Sequence, residues 1–211
     1  MRVSVALQLV ALLPVVFGAD TLRSVKRAFE SAGIVPDVVP AFDPTVLLKV
    51  TFTNPDGSPL PFTAGTLLTP AQASVRPTFT IVRPRALARA TFLIAEVDPD
   101  APTPQTPTSA QIRHFLAPDF TSSRGGLLSN RSAALSEYRG PSPPAGSDPH
   151  RYTFLLFVQD HPGVTPPPDF DVSNIAGFNI SNFVDEVNAA GTNRLRLVGG
   201  TFFRSQNPAP A

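Results

Sequence analysis

Two histidines, two aspartates and a tyrosine stand at the ends of apolar runs, held there by proline-hardened turns, and they are the residues of this chain best suited to chemistry. In Gly140-Pro-Ser-Pro-Pro-Ala-Gly-Ser-Asp-Pro-His150-Arg-Tyr152 a rigid loop delivers His150 and Tyr152 to the mouth of an apolar strand. Val97-Asp-Pro-Asp-Ala-Pro102 sets Asp98 and Asp100 at the end of another, and His114 follows within Ile112-Arg-His-Phe-Leu116. Proline fixes φ and so lowers the entropy lost in holding such groups still. Two imidazoles, a phenol and backbone N–H groups around Ser142 make a donor shell suited to a phosphate-type anion. Asp98 can orient an imidazole or accept from an ammonium group on the same ligand. On spacing alone the plainer reading is the commoner one: Asp98 and Asp100 cap turns, and His114 is a satisfied core histidine.

The elements that must carry these groups are legible in the hydrophobic pattern. Thr91–Val97 and Tyr152–Val158 are short, nearly continuous apolar runs bounded by Pro and Asp, as expected of central strands covered on both faces. Val46, Leu48, Val50 and Phe52 alternate with Leu47, Lys49, Thr51 and Thr53 and predict a half-buried strand, closed by the turn Asn54-Pro-Asp-Gly57. Thr78–Val82 is a further strand. Asp20 is expected to cap a helix carrying Leu22, Val25 and Phe29 on one face, stopped by Gly33 and Pro36. A second helix is predicted after an Asn179 cap, with Ile180, Phe183, Val184 and Val187 in phase and Gly191 as its end, before residues 194–204 return to strand character. Residues 102–109, 121–136 and 162–173 read as long surface loops.

Length and composition set bounds on function. Arg2, the apolar run Val3–Phe17 and the small-residue site Val16-Phe-Gly18 read as a secretory signal over residues 1–18, with a mature chain from Ala19. The run is short for a membrane span, and the polar C-terminus is unlike a glycolipid-anchor signal, so no transmembrane anchor is expected and the protein should be secreted or vacuolar. The chain has 17 basic and 16 acidic residues, and loss of Arg2 with the signal leaves 16 of each, which excludes a nucleic-acid-sized basic field. With no cysteine on an oxidising route, stability must come from an apolar core, and residues 19–204 are long enough for one domain, with 205–211 as a flexible tail. The 25 prolines fall between apolar runs, favouring a loop-rich β domain that is expected to be monomeric.

The same segments resemble the phosphatidylethanolamine-binding protein family. Val97–Pro102 is similar to its first signature, and Gly140–Gly146 with His150-Arg-Tyr152 to its second, in the family's order. The resemblance implies a mainly β fold: a central antiparallel sheet packed with a smaller sheet and a few peripheral helices. It also implies a pocket for phosphate-type anions or a phosphatidylethanolamine head group, lined by Asp98, Ala101, Pro102, His114, Ser142, Pro143, Pro144, His150 and Tyr152. A cis Ala101-Pro102 bond and an Arg151 ion pair with Asp98 or Asp100 follow from it too. Three departures, Arg113 before His114, Ser109 and Ser142, leave head-group selectivity open. Arg113 should point away from His114 and is expected to face solvent.

Gly33-Ile-Val-Pro-Asp-Val38, Thr66-Leu-Leu-Thr-Pro70, Arg76-Pro77 and Gly199–Arg204 resemble the fungal branch of the family that includes a carboxypeptidase inhibitor. Inhibition of a serine carboxypeptidase, with Ala19–Arg27 as the cleft-filling segment, is therefore the second function considered. Asp98, His114 and His150 together could ligate a metal, but the chain has no His-Glu-x-x-His, Gly-x-Ser-x-Gly or cysteine nucleophile, so neither catalysis nor a metal or cofactor is expected. Asn130-Arg-Ser132 and Asn179-Ile-Ser181 fit the glycan acceptor pattern, with Asn130 placed in a loop and Asn179 hindered by its helix.

Overall fold

The computed structural model describes residues 19–82, 87 and 89–208, so the expected signal segment and the last three residues lie outside the described part. Six strands form the main sheet in the order β3 (Thr66–Leu68), β9 (Leu195–Ser205), β8 (His150–Gln159), β5 (Thr91–Asp98), β6 (Ile112–Ser122) and β7 (Leu128–Asn130). All its pairings are antiparallel except β3 with β9. A second sheet of three antiparallel strands has the order β2 (Pro59–Pro61), β1 (Leu47–Thr53) and β4 (Thr78–Val82). This is the mainly β, two-sheet architecture that the resemblance implies.

The two apolar runs are adjacent central strands, β5 and β8, and their lack of alternation has a simple cause: both faces are covered. On one face Phe92, Ile94, Phe154 and Phe203 pack against Leu48, Val50, Phe52, Phe79 and Ile81 of the small sheet. On the other, Leu93, Ala95, Val97, Leu155 and Phe157 meet α1 (Leu22–Ser31) and α3 (Ile180–Ala190) through Val25, Phe29, Ile180, Phe183 and Val187. Each such fully buried aromatic or aliphatic side chain contributes about 1.5–3 kcal/mol relative to exposure. β9 approaches Val46 so closely that a Cβ on Gly199 would lie 2.5 Å from the Val46 carbonyl oxygen, which excludes any larger residue there.

Three expectations are corrected. Thr21, not Asp20, caps α1, in a reciprocal box with Ser24, because Asp20 is turned away to accept from the Ala64 N–H at 2.9 Å. Residues 121–136 are not one loop: β6 runs to Ser122, and β7 pairs with it as a three-residue edge strand too short to show periodicity. Ser205 closes β9, and Asn207 bridges to Ala145, its carbonyl accepting from the Gly146 N–H at 2.9 Å, so the start of the expected tail is fastened to the 140–149 loop. The late helix is capped by Asn179 as expected, its side chain accepting from Asn182, and ends at Gly191 with φ of 71°. A short α2 (Ile34–Asp37) follows Gly33.

Candidate functional site

Asp98 ends β5 and His150 opens β8, so two chain reversals bring the carboxylate to the imidazole: Nδ1 of His150 lies 2.8 Å from Oδ2 of Asp98. The other Asp98 oxygen accepts from the Asp100 N–H at 2.8 Å, an Asx-type turn that fixes the side chain. With Nδ1–H donating to Asp98, His150 turns Nε2 inward, where it is buried and has no partner. The Ala101-Pro102 bond is cis, as expected.

His114 reaches the same place through a bulge. Glu96 pairs with Phe115 and the next residue, Val97, with Arg113, so His114 is the extra residue on β6. His114 and Phe115 therefore both face the small sheet, and Arg113 faces the helices. The His114 ring meets Tyr152 edge-on at 5.0 Å, and its Nδ1–H donates to the Arg139 carbonyl at 2.8 Å. Burial pushes the His114 pKa down, against the opposing pull of that carbonyl and of Asp98. The ring is thus neutral near pH 7, with Nε2 as its acceptor.

Tyr152 stacks between Phe203 at 5.1 Å and His150 at 6.4 Å, and its hydroxyl is within reach of the Ser142 N–H and the Asp98 carboxylate. Burial first, then the charges of Asp98 and Glu96, push its pKa well up, so the phenol keeps its proton. Asp98, His114, His150 and Tyr152 lie together, and all four are buried, none more than 5% exposed. Around them Ser142, Pro144 and Pro102 are exposed, Ala101 is half-buried and Pro143 is buried. Among the described residues no group of three or more His, Cys, Asp or Glu side chains is arranged to hold a metal ion.

Sequence reasoning missed Glu96. It lies two residues before Asp98 on the same face, is fully buried, and neither carboxyl oxygen has a partner. Desolvation, then the charge on Asp98, raise its pKa far above the ordinary carboxylate range. The one signal was an acid inside the apolar run Thr91–Val97. Tyr138, whose hydroxyl donates to the Ala73 carbonyl, has its pKa raised by burial and by this same glutamate.

Arg113 points away from His114, as alternation requires, but not to solvent: it is 2% exposed. The 162–178 segment folds over it, giving the guanidinium Phe170 at 4.3 Å and Phe178 at 5.1 Å. Nη2 donates to the carbonyls of Asp171, Val172 and Asn174, and Nε to Ser136. Arg151 takes the structural role expected of it. It pairs with Asp100 at 2.7 Å and Asp37 at 2.9 Å and donates to the Ala32 carbonyl at 2.7 Å. Of the two glycan acceptor positions, Asn179 is exposed, while Asn130 is half-buried at the end of β7 and bonded to Arg76 and Ser132. The Asn179 side chain is engaged too, its Oδ1 accepting from the Asn182 N–H as the cap of α3. Among the described residues no helix is long and apolar enough to cross a membrane.

Two stacked sheets carry a buried His–Asp–Tyr cluster at the ends of the central strands. The family model described as phosphatidylethanolamine-binding protein matches residues 51–202, and the chain belongs to that family. Relatives include Protein FLOWERING LOCUS T of Arabidopsis thaliana, 32% identical over 126 residues, 60% of this chain and 65% of that protein, so the chain spans under two thirds of its length. Carboxypeptidase Y inhibitor of Saccharomyces cerevisiae is 25% identical over 209 residues, covering 85% of this chain and 93% of the inhibitor. In fold, the crystal structure of carboxypeptidase Y inhibitor complexed with the cognate proteinase is similar with a TM-score of 0.73 at 23% identity, covering 89% of this chain and 97% of that one. The phosphatidylethanolamine-binding protein from Plasmodium vivax follows at 0.63 and 18%, covering 87% and 97%.

Proposed function

We propose that the chain is a non-enzymatic binding protein whose His114–His150–Tyr152 cluster takes up a phosphate-type anion, such as a phospholipid head group. The observation that carries this reading is the buried Nε2 of His150, partnerless while its Nδ1 is pinned to Asp98. A buried polar atom without a partner costs about 1–3 kcal/mol, and a ligand oxygen in front of it would remove that cost. Protonated, His150 donates through Nε2 to a phosphate oxygen while Asp98 balances its charge. The Ser142 N–H and the Tyr152 hydroxyl supply further donors, and neutral His114 offers an acceptor to an ammonium or P–OH group. Nothing in this arrangement requires bond making or breaking, so occupancy is the function. Titration of the secreted protein with phosphoethanolamine, followed by NMR, should shift His114, His150 and Tyr152. His150→Ala should weaken binding by at least about tenfold while the protein stays folded. Absence of binding by inorganic phosphate, phosphoethanolamine and phosphatidylethanolamine vesicles alike would refute the reading.

A second reading, inhibition of a serine carboxypeptidase in the secretory or vacuolar route, is supported by the similarity to the yeast inhibitor over most of both chains. Its expected contact segment needs revision: residues 22–27 belong to α1, whose Val25 is packed into the core, and are not free to fill a cleft. A micromolar excess of the protein that leaves carboxypeptidase Y fully active would remove this reading. N-terminal sequencing and deglycosylation of the secreted protein test cleavage before Ala19 and glycans at Asn130 and Asn179.

A further inference from the structure

A groove of about 640 Å³ lies where edges of the two sheets meet, away from the His–Asp–Tyr cluster. One wall is β3, the outermost strand of the six-stranded sheet, whose outer side has no partner strand among the described residues. The other is β1. β2 pairs only with Thr51–Thr53, so from Leu47 to Val50 the side of β1 turned away from β4 carries no partner strand among the described residues. β2 stops there because Pro61 has no N–H to continue the ladder. In both open stretches every second residue turns its N–H and C=O into the gap, except that the Thr66 N–H already donates to the Thr63 carbonyl at 3.1 Å.

The lining is mostly apolar, with Phe62 half-buried and Leu67 54% exposed. Its two cations, Lys49 and Arg204, are exposed, and neither joins an ion pair among the described residues. Its single acid, Asp20, is held by the Ala64 N–H. We propose that this groove binds an extended peptide carrying apolar and acidic residues, added as a strand along the open edges of β1 and β3. An acyl chain would cover the apolar surface but leave the edge N–H and C=O groups dry and unpaired, whereas a peptide backbone satisfies them. In an added strand, one set of side chains meets Leu67 and Arg204, cross-strand neighbours on one face, and the other set meets Phe62, which packs on Phe203 on the opposite face. An edge this short takes about four residues, at roughly 3.3 Å each. The proposal is independent of the phosphate site.

The test is fluorescence anisotropy of the full secreted protein with labelled acetyl-Glu-Val-Glu-Val-Glu-Val-amide, its Lys-Val counterpart, and the acidic peptide N-methylated at alternate residues. Saturable binding of the acidic peptide is expected, weaker by about tenfold or more for the N-methylated one. Leu67→Asp should abolish it, and Lys49→Glu should shift preference toward the Lys-Val peptide. Both are exposed positions, and His150→Ala should leave this binding unchanged. Equal binding of the methylated peptide, or indifference to peptide charge, overturns the proposal. So does displacement of the peptide by dodecanoate at lower concentration, which assigns the groove to an acyl chain. Self-association lost in Leu67→Asp would assign it to a second copy. No binding at millimolar peptide overturns it as well, whether the chain's own residues before Ala19 occupy the groove or nothing does.

Discussion

On the helix-covered face of the six-stranded sheet, Arg113, Asp100 and Arg151 are buried or nearly so, and hydrogen bonds and ion pairs surround each of them. On the face toward the small sheet, Glu96, the Nε2 of His150 and the hydroxyl of Ser205 are buried with nothing to bond to. Among the described residues the one orphan on the helix side is the Thr153 hydroxyl, a small and uncharged group. A charge whose bonds are complete fastens loops and helices to the sheet. A polar group left incomplete in the interior persists only if something else keeps it, and beside Asp98 and Tyr152 the proposed phosphate binding supplies that reason.

The contrast can be broken most sharply at Arg113. Arg113→Ala leaves Ser136 and three carbonyls without their donor and should cost about 3 kcal/mol or more in denaturant unfolding, without a selective loss of phosphate affinity. On the opposite face the sign inverts: Glu96→Leu should stabilise by about 1–3 kcal/mol at pH 8, since it removes two unpaired oxygens. Its pH dependence follows from the raised pKa. Below about pH 4.5 folded and unfolded glutamates are both protonated. As pH rises the unfolded one ionises first, so wild-type stability falls until pH passes the folded value, and Glu96→Leu should lack this fall.

A smaller effect belongs to His114, whose pKa burial depresses. Below about pH 6.5 the unfolded imidazole takes up a proton that the folded one resists, so stability should drop as pH falls, and His114→Gln should flatten that limb. Smallest of all, Ser205→Ala should change unfolding free energy by less than about 0.5 kcal/mol or raise it slightly, whereas Ser136→Ala, which removes a partner of Arg113, should lower it measurably. Equal losses at both serines would erase the distinction between the faces.

The strands that form the centre of the fold were legible because β5 and β8 are continuous apolar runs and β1 alternates, patterns that only burial on two faces or one can impose. β2, β3 and β7 were not, since three residues carry no periodicity and their pairing depends on distant partners. The convergence of Asp98, His114, His150 and Tyr152 came from a family resemblance, because spacing alone left turn caps and a core histidine as the commoner reading. Arg113 was misplaced for a related reason: alternation gave its direction correctly, but whether that side meets water is decided by a loop roughly sixty residues downstream.

The extra residue on β6 has a cost and a return. A seamless ladder beside β5 would turn only one of two successive side chains toward the small sheet, so the strand would have to choose between the phenylalanine that fills the core and the histidine that meets Tyr152. The irregularity admits both. A variant shortened by deletion of His114 would restore even spacing and keep Arg113 and Phe115 on their present sides. It would trade the His114–Tyr152 contact for regularity, which makes this stretch permissive to exchange of residue type and intolerant of any change in length.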